Sequence, residues 1–237
     1  MEKPHIAVVP SAGFTHLVPI LEFSKLLLHL HPQFQVTCLI PSVGTTPSSS
    51  KAYLQTLPPT IHSILLPPIS TEHVAEDTPL AVQIELSVTL SLPYIKQELK
   101  SLCSRTTYVA ALVVDVFAHD ALDLAREHNL SSYIYLPQSA MMLSMYLNST
   151  KIDEMLSKEH RDPQELIQLP GCVPLHSRDL PLPFHFRSSI VFRKLVQRAQ
   201  KFHLVDGIIM NTFLELESGT LLLLLYYLHS YVFFLVA

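Results

Sequence analysis

The first thirty residues contain the pattern that most restricts the possible folds of this chain. The run from His5 to Ser11 predicts a short buried strand, residues 12–15 predict a tight turn, and residues 16–30 predict an amphipathic helix. A buried strand that turns directly into a helix is typical of the start of a doubly wound α/β domain. Ligands bind such domains beyond the carboxyl ends of the strands, so the turn is also a candidate for a functional site.

The rest of the chain continues this alternation. Apolar strand-like runs alternate with helical ones, which predicts right-handed crossovers and a parallel sheet. The Ser-, Thr- and Pro-rich segment 42–60 predicts a surface loop, and the proline-rich stretch 163–185 predicts an ordered but irregular excursion. The other predicted strands and helices are, in chain order, 35–40, 63–66, 80–101 (helix), 111–115, 118–128 (helix), 133–136, 139–148 (helix), 188–203 (helix) and 207–210.

Composition excludes several classes of protein. Apolar residues make up 49% of the chain and charged residues 15%, which is ample for a core and too apolar for disorder. A net charge of −4 gives no electrostatic reason for nucleic-acid binding. Cys38, Cys103 and Cys172 are scattered, odd in number and without CxxC spacing, so we expect reduced thiols in a cytoplasmic protein. The first segment lacks the ordered regions of a signal peptide, which agrees with that location. We also expect a monomer. The histidines show no two-ligand spacing, so no metal site is expected.

The last seventeen residues, 221–237, differ from the rest because they carry no charge. Their length is at the short limit for a membrane-spanning helix. One interpretation is a C-terminal tail anchor, and any membrane contact is expected only here. The other is a truncated or mis-spliced gene product whose sequence runs into non-coding material.

Two polar residues follow predicted strands of the sheet. His16 follows the first strand, and Asp115 ends the fourth. In a doubly wound sheet of order 3-2-1-4-5 these strands are neighbours, so both side chains should face the same crevice. An Asp that accepts the imidazole Nδ1 proton would leave Nε2 as a general base. The alternatives are an exposed polar histidine and an aspartate that only caps the helix at 118–128.

Several motifs resemble those of the plant UDP-dependent glycosyltransferases of secondary metabolism. The nearest branch is the one that glucosylates hydroquinone-like phenols and phenylpropanoids. The resemblance covers residues 4 to about 219. It rests on residues 10–19 (PSAGFTHLVP), 21–25 (LEFSK), 112–117 (LVVDVF), 169–174 (LPGCVP) and 207–217 (GIIMNTFLELE).

The resemblance implies a GT-B fold, in which two Rossmann-like domains face each other across a cleft. The N-terminal domain holds the acceptor, here a small phenol, and the C-terminal domain holds the UDP-sugar, a co-substrate; no further cofactor is implied. It makes His16 the base that deprotonates the acceptor and Asp115 its orienting partner, with transfer by inversion.

The resemblance also implies two groups of binding residues. One group would contact the donor sugar, and the other would line the acceptor pocket, although ordinary core packing is the alternative for each acceptor residue. The implied donor-sugar residues are Gly13, Thr15 and Ser139, and the implied acceptor residues are Ile84, Phe117 and Tyr146.

The sequence also departs from the family pattern. Ala12 and Thr15 stand where members commonly have Pro and Gly. The chain has no Trp and only five Gly, so it lacks the family's Trp-containing donor-binding signature. We therefore expect an acceptor domain over 1–219, an apolar non-family tail over 220–237, no donor domain and no sugar transfer by these residues alone. The alternative is a non-catalytic acceptor-domain fragment, or a tail-anchored small-molecule-binding protein.

Overall fold

The computed structural model describes residues 3–70, 74–75, 77–105, 108–157, 166–228 and 231–234. The chain divides into two compact units, Met1–Pro137 and Gln138–Ala237. The expected domain limit at residue 219 stays a prediction, because compactness does not show where family sequence ends.

The first unit is built on five parallel strands in the order β3-β2-β1-β4-β5. This is the predicted doubly wound order, and the predicted α/β fold class is confirmed. All five residues of β1 are buried, as expected for a parallel strand covered on both faces. The elements are β1 (His5–Val9), α1 (Phe14–Leu30), β2 (Gln35–Ile40), α2 (Ser48–Leu54), β3 (Ile61–Leu65), α3 (Leu80–Arg105), β4 (Val109–Asp115), a 3₁₀ turn (Val116–Ala121), α4 (Leu122–Glu127) and β5 (Ser131–Leu136).

The expectation of a loop over 42–60 is wrong in its central part, because α2 lies there. The sequence of α2 is rich in serine, a residue that favours turns and caps. Tertiary contacts with α1 outweigh that preference. The ring of Tyr53 packs edge-on against Phe14 with centroids 6.1 Å apart, and the Tyr53 hydroxyl donates to the Glu22 carboxylate at 2.5 Å.

The second unit contains four helices and two strands among its described residues. Strands β6 and β7 pair in parallel. The helix predicted over 139–148 is α5, and the helix that follows it, α6, was not predicted. The elements are α5 (Ala140–Leu147), α6 (Ser149–Leu156), 3₁₀ turns at Ser177–Asp179 and Leu182–His185, α7 (Ile190–Lys201), β6 (Gly207–Met210), α8 (Leu214–Leu228) and β7 (Tyr231–Phe234).

Residues 163–185 were expected to be irregular. Their described part, 166–185, is irregular. It contains the two 3₁₀ turns and a single antiparallel bridge between Ile167 and Leu175. Residues 163–165 lie outside the described residues.

Helix α8 runs across the expected boundary between residues 219 and 220. Leu221 and Leu224 are buried, so the first part of the apolar tail packs within the second unit. Over the part of the chain that the structure describes, no helix is both long enough and apolar enough to cross a membrane. Residues 229–230 and 235–237 of the tail lie outside that part.

Candidate active site

The carboxyl end of β1 passes into α1 through a glycine whose backbone other residues rarely adopt. Gly13 has φ 140° and ψ 132°. Its carbonyl oxygen accepts the N–H groups of His16 at 3.1 Å and Leu17 at 2.9 Å, which begins the helix. Because the helix begins at Phe14, two residues earlier than expected, His16 lies within its first turn.

The structure brings His16 and Asp115 together from adjacent strand ends, although 99 residues separate them. Nδ1 of His16 lies 2.9 Å from Oδ2 of Asp115. The aspartate is fully buried and the imidazole is 14% exposed. The other oxygen, Oδ1, accepts the backbone N–H of Phe117 at 3.0 Å and so caps the 3₁₀ turn after β4. Asp115 therefore both caps, as the alternative interpretation required, and pairs with the histidine.

This pairing defines what the imidazole can do. An ionised carboxylate only accepts hydrogen bonds, so Nδ1 of His16 is the donor in this pair, and in the neutral imidazole the lone pair then lies on Nε2. The ring of Phe117 packs edge-on against the imidazole, with centroids 4.9 Å apart and planes at 76°. Beside the pair on β5, burial and the charge of Asp115 raise the pKa of the Tyr135 hydroxyl. The site thus holds an oriented imidazole nitrogen beside an aromatic wall.

A cavity of about 300 Å³ opens beside the same strand-to-helix turn. Gly13 and Ile84, two predicted binding residues, both line it. They lie close together, since Cδ1 of Ile84 is 3.9 Å from the position that a Cβ on Gly13 would take. Thr15 is exposed in the first turn of α1. The predicted roles of these residues in binding stay predictions.

Ser139 and Tyr146, the other predicted binding residues, belong to the second unit. Oγ of Ser139 accepts the N–H of Met142 at 3.3 Å and caps α5. Tyr146 is 3% exposed and packs against the ring of Phe202, with centroids 5.6 Å apart. This environment matches the core-packing alternative for Tyr146, while its predicted acceptor role stays untested.

Two residues within the family-like motifs, Ser11 and Glu217, have environments that the sequence pattern does not predict. The hydroxyl of Ser11 is buried beside the cavity with no hydrogen-bond partner among the described residues. The carboxylate of Glu217 accepts the N–H groups of Ala140 at 2.8 Å and Met141 at 2.9 Å, at the start of α5. No local sequence pattern predicts these two environments. The burial of Ser11 and the contact of Glu217 with a residue 77 positions away both depend on tertiary structure.

Within the described ranges, no group of three His, Cys, Asp or Glu side chains is arranged to hold a metal ion. The three cysteines are free. Burial raises the pKa of the Cys38 thiol, which keeps it protonated and unreactive.

No protein-family model matches the chain. Individual proteins do match it. It is 42% identical over 218 residues to the hydroquinone glucosyltransferase of Rauvolfia serpentina, covering 92% of this chain and 46% of that protein. It is 36% identical over 220 residues to UDP-glycosyltransferase 72B1 of Arabidopsis thaliana, covering 93% and 46% respectively. The chain thus spans about half the length of these relatives.

Solved structures give the same result. A UDP-glucosyltransferase from Polygonum tinctorium, capable of glucosylating indoxyl and solved with 3,4-dichloroaniline, superposes with a TM-score of 0.89 at 36% identity. That match covers 97% of this chain and 51% of the solved one. UGT2 of Phytolacca americana, solved with UDP-2fluoro-glucose and pterostilbene, gives a TM-score of 0.91 at 33% identity, covering 98% and 53%. The chain is therefore homologous to about half of a plant UDP-glycosyltransferase, and it has the α/β fold of the N-terminal half of these GT-B enzymes.

Proposed function

We propose that the chain supplies the acceptor-binding half of a glycosyltransferase that moves a sugar, glucose, from a UDP-sugar to a hydroxyl of a small phenol. The observation that carries this proposal is the 2.9 Å contact between Nδ1 of His16 and the buried carboxylate of Asp115. The names of the relatives support the substrate class, since one is a hydroquinone glucosyltransferase and another was solved with pterostilbene.

In the proposed reaction, Nε2 of His16 takes the proton of the acceptor hydroxyl. The acceptor oxygen then forms a bond to the anomeric carbon from the face opposite UDP. The bond from that carbon to the UDP oxygen breaks, and UDP leaves with the electron pair, so the anomeric configuration inverts. Asp115 stabilises the imidazolium that forms and keeps the ring oriented. A phenol has a pKa of about 10, so a positioned imidazole suits its activation.

The 237 residues expressed alone should transfer no sugar. They contain no Trp and only five Gly, so the family's Trp-containing donor-binding signature is lacking from them. Much of the rate of a two-substrate reaction comes from holding both substrates in the right geometry. A base that acts without an oriented donor sugar provides little of that rate. The second candidate is therefore a non-catalytic fragment that binds small phenols, which the cavity beside Gly13 favours.

The test joins residues 1–219 to the donor half of the Rauvolfia serpentina relative and measures hydroquinone glucosylation with UDP-glucose. His16→Ala should lower kcat by about 100-fold or more, the usual contribution of a general base. Asp115→Asn should also lower kcat strongly, because its amide can still cap Phe117 but turns an N–H group toward Nδ1.

His29→Ala is the matched control, since His29 is an exposed histidine on the same helix. It should leave kcat unchanged. A His16→Ala fusion with nearly the parent kcat would refute the proposed base. Turnover of UDP-glucose by the unfused 237 residues would refute their proposed inactivity.

A further inference from the structure

The 3₁₀ turn that follows β4 carries two parts of the proposed site. Its Phe117 N–H group donates to Oδ1 of Asp115 at 3.0 Å, and the Phe117 ring packs against the imidazole of His16. If the turn moved, the carboxylate that orients His16 and the aromatic wall beside it would both move. The position of the turn therefore bears directly on the orientation of the base.

The backbone of this turn is irregular. A 3₁₀ helix has poorer hydrogen-bond geometry than an α-helix, and runs longer than three or four residues are uncommon. This one spans six residues, Val116–Ala121, and Ala118 within it departs from helical geometry with φ −99° and ψ 17°. Contacts with neighbouring side chains must then supply part of its stability.

Thr89 of helix α3 makes such a contact at the far end of the turn. Its Oγ1 donates to Oδ2 of Asp120 at 2.6 Å. The same hydroxyl lies 3.2 Å from the carbonyl oxygen of Glu85 in its own helix, but it has only one proton, and the shorter contact with a charged acceptor is the stronger one. The bond to Asp120 joins the short turn to α3, a helix of 26 residues.

His119 contacts both ends of the same turn. It is buried, and its Nδ1 lies 3.2 Å from the carbonyl oxygen of Val116. A carbonyl oxygen only accepts, so Nδ1 of His119 is the donor in this contact. Nε2 of the ring lies 3.4 Å from Oδ1 of Asp120. The carboxylate of Asp120 thus lies between the turn's own imidazole and the hydroxyl of Thr89, and it is where the turn and α3 meet.

We propose that Thr89 and Asp120 are positioning residues for the reaction. Their hydrogen bond holds the turn that orients Asp115, and through Asp115 it keeps the imidazole of His16 in the form that is protonated at Nδ1. Both residues act through the turn and not on the substrate. This inference rests on the proposed function, because it concerns the same base.

The test measures the tautomer of His16 in the 237-residue chain by long-range proton–nitrogen correlation NMR, at a pH at which the imidazole is neutral. The His16 signals are assigned by their loss in His16→Gln, and in the parent chain the Nδ1–H form should predominate. Thr89→Val keeps the shape of the side chain and removes the donor. It should lower the ratio of the Nδ1–H to the Nε2–H form by about 10-fold, the worth of one hydrogen bond to a charged group. Thr89→Ser keeps the hydroxyl and should keep the parent ratio.

Ser91→Ala is the matched control, because the buried Ser91 Oγ donates at 2.7 Å to the carbonyl oxygen of Ser87 in the same helix and not to the turn. It should lower the Tm of the chain and leave the tautomer of His16 as in the parent. Asp120→Ala removes the other partner and should lower the ratio as Thr89→Val does. Thr89→Val should then change nothing further in the Asp120→Ala background, because both substitutions remove the same bond.

The outcomes separate the two proposals. If the parent chain itself holds His16 in the Nε2–H form, the proposed base fails, and the proposed function with it. If the parent shows the Nδ1–H form but Thr89→Val keeps the parent ratio, the positioning inference alone fails. It fails equally if Ser91→Ala shifts the ratio as much, because the shift would then reflect a general loss of stability, or if the effects of Thr89→Val and Asp120→Ala add.

Discussion

Replacement of Glu217 by alanine tests how the second unit holds the start of helix α5. The Glu217 carboxylate accepts the N–H groups of Ala140 and Met141 and the hydroxyl of Thr212, at 2.8, 2.9 and 2.6 Å. The helix can offer these N–H groups because its first turn has no internal acceptors for them. Glu217 itself lies at a kink in α8, with φ −135° and ψ 39°. The carboxylate therefore joins the two helices.

The expected cost follows from these contacts. A hydrogen bond to a charged group contributes about 1.5–3 kcal/mol, and a carboxylate near a helix N-terminus adds about 0.3–1 kcal/mol through the helix dipole. Glu217 is partly exposed, so we take the lower values and count the two backbone bonds. Glu217→Ala should then destabilise the start of α5 by about 3 kcal/mol, equivalent to about a 100-fold change in an opening equilibrium.

The measurement is residue-resolved amide hydrogen exchange, which reports local opening. Exchange at Ala140 and Met141 should speed up by about 100-fold in Glu217→Ala. Glu215→Ala removes the same charge from an exposed position of the same helix and should leave both amides protected. Equal exchange in the parent and in Glu217→Ala would refute the reasoning. Ser139 caps the same helix, so its predicted sugar contact would depend on Glu217 as well.

Two further predictions concern stability. Gly171→Ala should unfold the second unit at markedly lower urea, because a Cβ there would lie 2.5 Å from the Gly219 carbonyl oxygen; Gly44→Ala, also at positive φ but with nothing within 4 Å, should cost far less. His5 is the second case, since burial and the charge of His62 lower its pKa below 6.5. The unfolded chain then binds more protons at acid pH, so stability should fall as pH drops below about 6.5, and His5→Gln should weaken that fall in urea midpoints between about pH 7.5 and 5.5.

Much of the first unit could be predicted from sequence because its strands are continuous apolar runs. The limits of β2 agree with the prediction to the residue, and the strand order follows from a general rule for alternating strands and helices. The position of α2 could not be predicted, because its serine-rich sequence resembles a loop. The helix contains Tyr53, whose hydroxyl donates to Glu22 of α1, and no local sequence pattern predicts that contact.

The candidate site was also predictable only in part. The proximity of His16 and Asp115 followed from topology, since the ends of neighbouring parallel strands meet at one edge. The burial of Ser11 did not follow, because a serine in a turn is ordinarily solvated and only the packed structure buries its hydroxyl with no partner among the described residues. The contacts of Glu217 did not follow either, because its partners at the start of α5 lie 76 and 77 residues away.

Asp115 links the stability of the first unit to its proposed chemistry. One carboxylate oxygen caps the turn after β4, and the other accepts from His16, so the cap fixes the carboxylate that orients the base. Both contacts lie within the first unit and involve no residue of a donor domain. The imidazole is thus oriented before any UDP-sugar is bound, as electrostatic preorganisation requires. If these residues alone transfer no sugar, the reason would then be that they do not hold the UDP-sugar, and not that the base is disordered. Phenol binding should persist even where sugar transfer is lost.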